Sequence, residues 1–322
     1  MRSKLLALLL MGLLGAVACA ATLCGARQYS FSEAIGNPEA SQVIFQLRLP
    51  RVLFGLFLGG ALAVIGAAYQ AIFRNALASP FSLGVSSGAA LGASLAIFIG
   101  PGWPVGVSAS AIVAAGVSIV LILGLNQTRA AASQESLLLI GVVFSLFCSS
   151  VLTLIQYLSD YSQIFRATRW MLGAVPPASW SAAVVAGLLA VGSAGWLWRS
   201  HHKLDLMLFG DDFASARGVD PEGLSRSVFV VTSVAVGWFV AQCGVIGFVG
   251  IIVPAAVRLM VGLHHRRVVP LSFLVGALLV VSCDLMGRVV TPPFEVPAGV
   301  FTAVLGGPVF VALLLRSRHE LL

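Results

Sequence analysis

Apolar segments long enough to cross a bilayer, each roughly 20 residues, recur along the entire chain, and no soluble fold tolerates that pattern. Reading on that basis gives ten candidate spans: 5–23, 52–73, 86–99, 105–125, 136–158, 180–198, 227–243, 245–263, 269–286 and 297–315. The third is short, and the seventh and eighth nearly touch. Hydrophobic residues make up 59% of the 322 and charged residues only 10%, too few to cover a water-soluble surface. The short alternating segments of an outer-membrane barrel are absent. The expected fold is therefore all-α, a polytopic membrane bundle of about ten helices, in one domain over residues 1–322.

The charges that remain sort by side. With the N-terminus in the cytoplasm, inner segments hold 13 of the 19 Lys+Arg and outer segments 6, the bias expected of cytoplasmic loops. Both termini are then cytoplasmic. The basic residues lie between apolar spans and form no stripe, so the high pI of about 9.6 does not imply nucleic acid. The N-terminal 27 residues imitate a signal peptide, yet they read better as an uncleaved first helix. All five cysteines sit in apolar stretches without a C-x-x-C, so neither a disulfide framework nor a metal site is expected, a Cys19–Cys24 pair near one membrane face being the alternative left open.

Much chemistry is missing. The chain has no G-x-x-x-x-G-K-[ST] and only two lysines, Lys4 and Lys203, so it cannot build a phosphate-cradling loop or hydrolyse ATP itself. The pairs His201/His202 and His264/His265 read as hydrated loop faces rather than a metal site. Carboxylates buried in a membrane would mark a proton-coupled carrier. The best candidates, Asp284 and Glu295, fall near the outer end of span nine and in the loop after it.

The polar interruption at 70–84, "QAIFRNALASPFSLG", reads as an inner turn. Arg74 would snorkel to the surface, Asn75 would satisfy helix-end carbonyls, and Pro80 would break the helix. Glycines spaced by four, as at Gly55/Gly59 and Gly84/Gly88/Gly92, suit close helix packing. The longest hydrophilic loop, 199–226, has an apolar pattern at Leu206, Leu208 and Phe213. It is expected to hold two short helices broken near Gly210 and Gly218, and a partner protein.

Four stretches in order resemble the permeases of bacterial ABC importers for iron chelates, haem and cobalamin (type II, ten helices). They are "RLPRVLFGLFLGGALAVIGAAYQAIFRNALASPFSLG", "LFGDDFASARGV", "GVIGFVGIIVPAAVRLMVGLHHR" and "CDLMGRVVTPPFEVPAGVFTAVLGGPVFVALL". The departures are Ala76 for a usual proline, Ala255 for a common histidine, Arg217 for a leucine, and Ser87 where some members carry asparagine.

The resemblance implies a transport subunit of the bacterial inner membrane, not an enzyme. Its partners would be a second permease chain, identical or paralogous, two ATP-binding subunits and a periplasmic binding protein. ATP would be bound by the partner and no cofactor by this chain. By position, Arg48, Arg51 and Arg288 would dock the binding protein, and Gly210, Asp211, Ala214 and Gly218 would couple to the ATPase. Ser87, Ser133 and Gln134 would lie near the cytoplasmic gate. An iron–siderophore complex is the default cargo. The rival expectation is an ion-coupled secondary transporter that needs no ATPase.

Overall fold

A computed structural model describes residues 2–25, 27–30, 33, 36–79, 81, 83–100, 102–103, 105–127, 134–290, 292 and 294–316. Among them the regular structure is helical throughout, as all-α patterning requires. A helix satisfies its own backbone and so suits hydrocarbon. Seven helices are long and apolar enough to cross a membrane, and three shorter apolar helices, Val85–Ile99, Val249–Val261 and Ala298–Leu313, take the remaining places. These ten coincide with the ten segments read from hydropathy. Large side chains such as Val120 and Leu188, each 70% exposed, would be a liability in water and are at home against lipid.

The chain divides into two compact units. The first comprises Met1–Ala67, Ala174–His201 and Ile246–Leu322. It contains α1 (Arg2–Leu23), α2 (Pro38–Ile72) through Ala67, and α7 (Trp180–Arg199), then α11 (Val249–Val261), α12 (His265–Val289) and α13 (Ala298–Arg316). The second comprises Ala68–Gly173 and His202–Val245. It contains the end of α2, α3 (Val85–Ile99), α4 (Val107–Gln127), α5 (Gln134–Leu158) and α6 (Tyr161–Met171), then α8 (His201–Met207) from His202 onward, α9 (Asp211–Ala216) and α10 (Pro221–Cys243).

The most buried span is α2, with 83% of its apolar window inside the protein against 17% for α1. It begins at Pro38, well before the expected start at Val52. Asn37 caps it by accepting from the Glu39 N–H at 3.0 Å, and Pro38 occupies the first turn, where its missing N–H costs nothing. The regular winding of the extension is interrupted by chemistry visible in the sequence. Pro50 has no N–H to return, and the preceding turns widen into a π-helix over Val43–Arg48. In that register the Phe45 carbonyl would have bonded to residue 50; the Trp180 indole donates to it instead, at 3.0 Å.

In the first unit α12 packs on α1, α7, α11 and α13. The backbones of α2 and α12 meet where Gly59 faces Gly276, and a Cβ on Gly59 would strike the Gly276 carbonyl. Gly59→Val is therefore expected to cost about 1–3 kcal/mol, the usual price of overpacking, read as a lowered thermal midpoint in detergent. In the second unit α3 packs on α4, α5, α6 and α10, and Gly88 and Gly92 lie against Ser118 and Ala114 of α4.

Several expectations need correction. The eighth span is only Val249–Val261, because Gly244 (φ 72) ends α10 and Phe248 (φ 67) is left-handed at the start of α11. His265 is fully buried rather than on a hydrated face, since it opens the first turn of α12 while His264 stays exposed as its N-cap. Of the cysteine alternatives, the Cys19–Cys24 pair is not formed, and all five are free thiols. Helix α6 was not expected. Its signal was present as Asp160 and Gln163, which form a reciprocal capping box. The Gln163 N–H and then the Ser162 hydroxyl hold the Asp160 carboxyl below its ordinary range, so the cap stays ionised further into acid than a free aspartate would.

Candidate functional site

The first unit gathers Arg48 and Arg51, at and just after the π-helical turn of α2, and Arg288, in the last turn of α12, around the C-terminal end of α1. Arg51 donates to Asp284 Oδ1 from Nη2 at 2.8 Å and from Nε at 3.2 Å, and Nη2 also pairs with Glu295 Oε2 at 2.9 Å. Arg288, one turn beyond Asp284, pairs with its Oδ2 at 3.0 Å. The same guanidinium reaches the α1 C-terminus, donating to the carbonyls of Ala21 at 2.9 Å and Cys24 at 3.4 Å. Arg48 completes that cap, donating to Leu23 O and Arg27 O, each at 2.7 Å, with its guanidinium 5.0 Å from the centre of the Tyr29 ring. The last carbonyls of a helix have no partner within it, and here two arginines supply one.

Burial grades these groups. The side chains of Arg288 and Asp284 are 4% and 5% exposed, Arg51 is 13% exposed and Glu295 is 50% exposed. Glu295 is set in place by a tight return of the chain, in which Val296 N–H donates to Gly287 O at 3.0 Å. Three guanidinium groups against two carboxylates leave the cluster net positive. The sequence singled out all five residues, but as two unrelated sets, three docking arginines and two carboxylates weighed for proton coupling.

The second unit carries the inner-loop residues. Arg74 follows α2 in a left-handed conformation (φ 46), an uncommon backbone for a residue with a Cβ. Its Nη2 lies 3.4 Å from Asp211 Oδ1, and a Cβ on Gly210 would come within 3.1 Å of its Nη1. Gly210 itself has φ 107 and Gly218 φ 80; these two breaks isolate α9, as expected. Ala214 is fully buried, while Phe209 and Phe213 are exposed, their rings 5.3 Å apart, with Arg217 5.3 Å from the Phe213 ring centre. The apolar pattern of this loop is thus split, with Leu206 turned inward and Phe213 outward.

The turn after α2 is held differently from expectation. Asn75 Oδ1 accepts from the Leu77 N–H at 2.8 Å, closing the turn itself. Gln70, buried on the last turn of α2, donates to the Ala76 carbonyl at 3.0 Å. Pro80 lies outside the described residues. An exposed ion pair contributes under about 1 kcal/mol, so Arg74→Ala should leave the thermal midpoint nearly unchanged. Gly210→Val should lower it visibly, because it combines a forbidden φ with a contact to Arg74.

The proposed gate residues are scattered in what they show. Ser87 is half-buried in the first turn of α3. Gln134 opens α5, and Ser133 lies outside the described residues. No group of three or more metal-ligating side chains occurs among the described residues.

Comparison with known proteins adds the following. A profile described as the FecCD transport family matches residues 5–316. The vitamin B12 import system permease protein BtuC of Vibrio cholerae is 35% identical over 281 residues, covering 87% of this chain and 84% of its own. The hemin transport system permease protein HmuU of Yersinia pestis is 33% identical over 288 residues, covering 88% and 86%. A solved structure described as an inward-facing conformation of a metal-chelate type ABC transporter superposes with a TM-score of 0.88 at 31% identity, covering 97% of this chain and 99% of that one.

Proposed function

The chain belongs to the FecCD transport family, the permeases of type II ABC importers, and from that premise we propose that it passes an iron–siderophore, haem or cobalamin complex across the bacterial cytoplasmic membrane, with iron–siderophore the default. What carries the proposal is that relatives spanning nearly the whole chain are named as permeases of vitamin B12 and hemin import. With no phosphate-binding loop in the sequence, ATP hydrolysis falls to separate subunits. Two permease chains would form the pathway, with Ser87, Ser133 and Gln134 toward its inner end.

The binding protein would dock on the arginine cluster. A net positive rim attracts carboxylates and raises the rate of productive encounter. Buried Arg288 would act by holding Asp284, leaving Arg48, Arg51 and exposed Arg27 to supply the outward field. Neutralising Arg27 and Arg48 to glutamine should raise, several-fold, the binding-protein concentration needed for half-maximal ATPase stimulation, with basal hydrolysis retained. An unchanged requirement would remove the docking role.

The ATPase would receive α9 through Gly210, Asp211, Ala214 and Gly218, with Phe209 and Phe213 as its apolar contacts. An ion-coupled carrier is less well supported. Asp284, the buried carboxylate among the described residues, is locked between two arginines. The cargo is tested by purifying the binding protein that associates with the complex and identifying its ligand. A ferric siderophore, haem or cobalamin supports the reading, and a ligand without a metal chelate overturns it.

A further inference from the structure

We propose that the second unit holds a specific site for an anionic phospholipid, with one acyl chain along a groove on α3, α4 and α5 and the headgroup phosphate at Arg166. The groove has a volume of about 440 Å³ and is walled by Leu95, Val113, Val117, Leu121 and Phe147, all exposed. Its floor is shallow where Gly92 lets α3 approach Ala114 of α4. Along α4 it runs from Ser110 to Leu121, about 16 Å of helix at 1.5 Å per residue.

A second cavity of about 480 Å³ has a different character. It is lined by Arg166 and Trp170 of α6, Gln242 at the end of α10 and Ser108 in the first turn of α4. Ala96 and Trp103 line both cavities, so the hydrocarbon groove and a cup that carries several hydrogen-bond donors lie side by side. Each volume is of the size that ligand pockets have, ~300–1,000 Å³.

The chemistry at the two ends selects an amphiphile. A free inorganic anion would use Arg166 and leave the groove empty, and a purely apolar guest would ignore the guanidinium. A phosphate with a hydrocarbon tail uses both, through charge-assisted bonds at one end and burial at the other. Tryptophans at such a junction suit the headgroup level, where one part of the ring is apolar and the N–H is wet. Trp103 is oriented by its indole donating to Ser110 Oγ at 2.8 Å.

Arg166 is also placed rather than loose. Helix α6 is fixed at its N-terminus by the Asp160/Gln163 box, and the Gln163 side chain donates to Phe98 O at the end of α3, at 2.8 Å. Among the described residues no carboxylate lies within ion-pairing distance of Arg166; the Asp160 carboxylate, at the N-cap of the same helix, interacts with it only at longer range, as the weakest influence on that carboxyl. Its Nε makes only a long contact, 3.4 Å, to Ser162 O. The guanidinium therefore retains donors for a phosphate.

The test is native mass spectrometry of the purified full-length chain, delipidated and then titrated with phosphatidylglycerol or phosphatidylcholine of matched chains. Wild type should retain phosphatidylglycerol preferentially. Arg166→Gln should reduce that retention about tenfold, the loss of one charge-assisted contact, with phosphatidylcholine unaffected. Arg169→Gln, on the same helix but outside the cup, should change nothing, and Val117→Trp should reduce retention of both lipids by filling the groove. Equal retention of the two lipids by wild type, or equal effects of the Arg166 and Arg169 substitutions, would overturn the site. So would efficient crosslinking of Val117→Cys to a second copy of the chain, which would make the groove a protein interface. The assay needs no transported cargo, so its outcome is independent of the importer reading.

Discussion

Asp284→Ala is expected to abolish stable folded protein, or to lower its thermal midpoint more than any other single substitution in the arginine cluster. The carboxylate is 5% exposed and lies between Arg51 and Arg288. Its removal leaves buried Arg288 without a counter-charge and Arg51 with only the half-exposed Glu295. Removing one partner of a buried ion pair costs about 3–5 kcal/mol, a large share of the ~5–15 kcal/mol by which a folded domain is stable. Asp284→Asn keeps one acceptor oxygen and should cost less. Glu295→Ala, at a half-exposed position, should cost under about 1 kcal/mol. The midpoint in detergent, followed by size exclusion, gives this order directly. If Asp284→Ala behaves like Glu295→Ala, the cluster is not what joins α1, α2 and α12.

Replacing residues 210–218 by a flexible linker of equal length is expected to leave the permease folded but prevent the ATPase from co-purifying. The segment contributes only modestly to the bundle's stability, since its ion pair to Arg74 is exposed and long and its buried anchor is the small Ala214. What it offers is a presented surface: α9 between two positive-φ glycines, with the exposed rings of Phe209 and Phe213 tilted against each other beside Arg217. Buried aromatic anchors at interfaces are commonly worth 2 kcal/mol or more, so Phe213→Ala alone should weaken ATPase binding by roughly thirtyfold. Stoichiometric ATPase retained by the linker variant would show that the loop is not the contact.

Much of this architecture was legible before any coordinates. Apolar length located ten segments because the bilayer imposes it, and glycines with positive φ marked the breaks around α9 because few other residues adopt that backbone. The early start of α2 was written in Asn37–Pro38–Glu39, and α6 in Asp160 and Gln163. Both are local cap signals that a hydropathy window averages away. The pairing of Arg51 with Asp284 had no local trace, because 233 residues separate them and a lone sequence carries no register between distant helices. The same holds for Trp103, Trp170 and Gln242, which converge only when α3, α4, α6 and α10 pack. His265 misled for a related reason: an exposed neighbour and nearby arginines said nothing about which side of a first turn faces inward.

The central claim is that transport through this chain is driven by ATP on a partner subunit. It is tested most directly by uptake into proteoliposomes holding the permease with its ATPase, the loaded binding protein outside and nucleotide inside. Uptake that requires enclosed ATP, stops when the ATPase is omitted and is indifferent to a protonophore is the predicted result. Uptake that persists without ATP and collapses when the protonophore is added would contradict it.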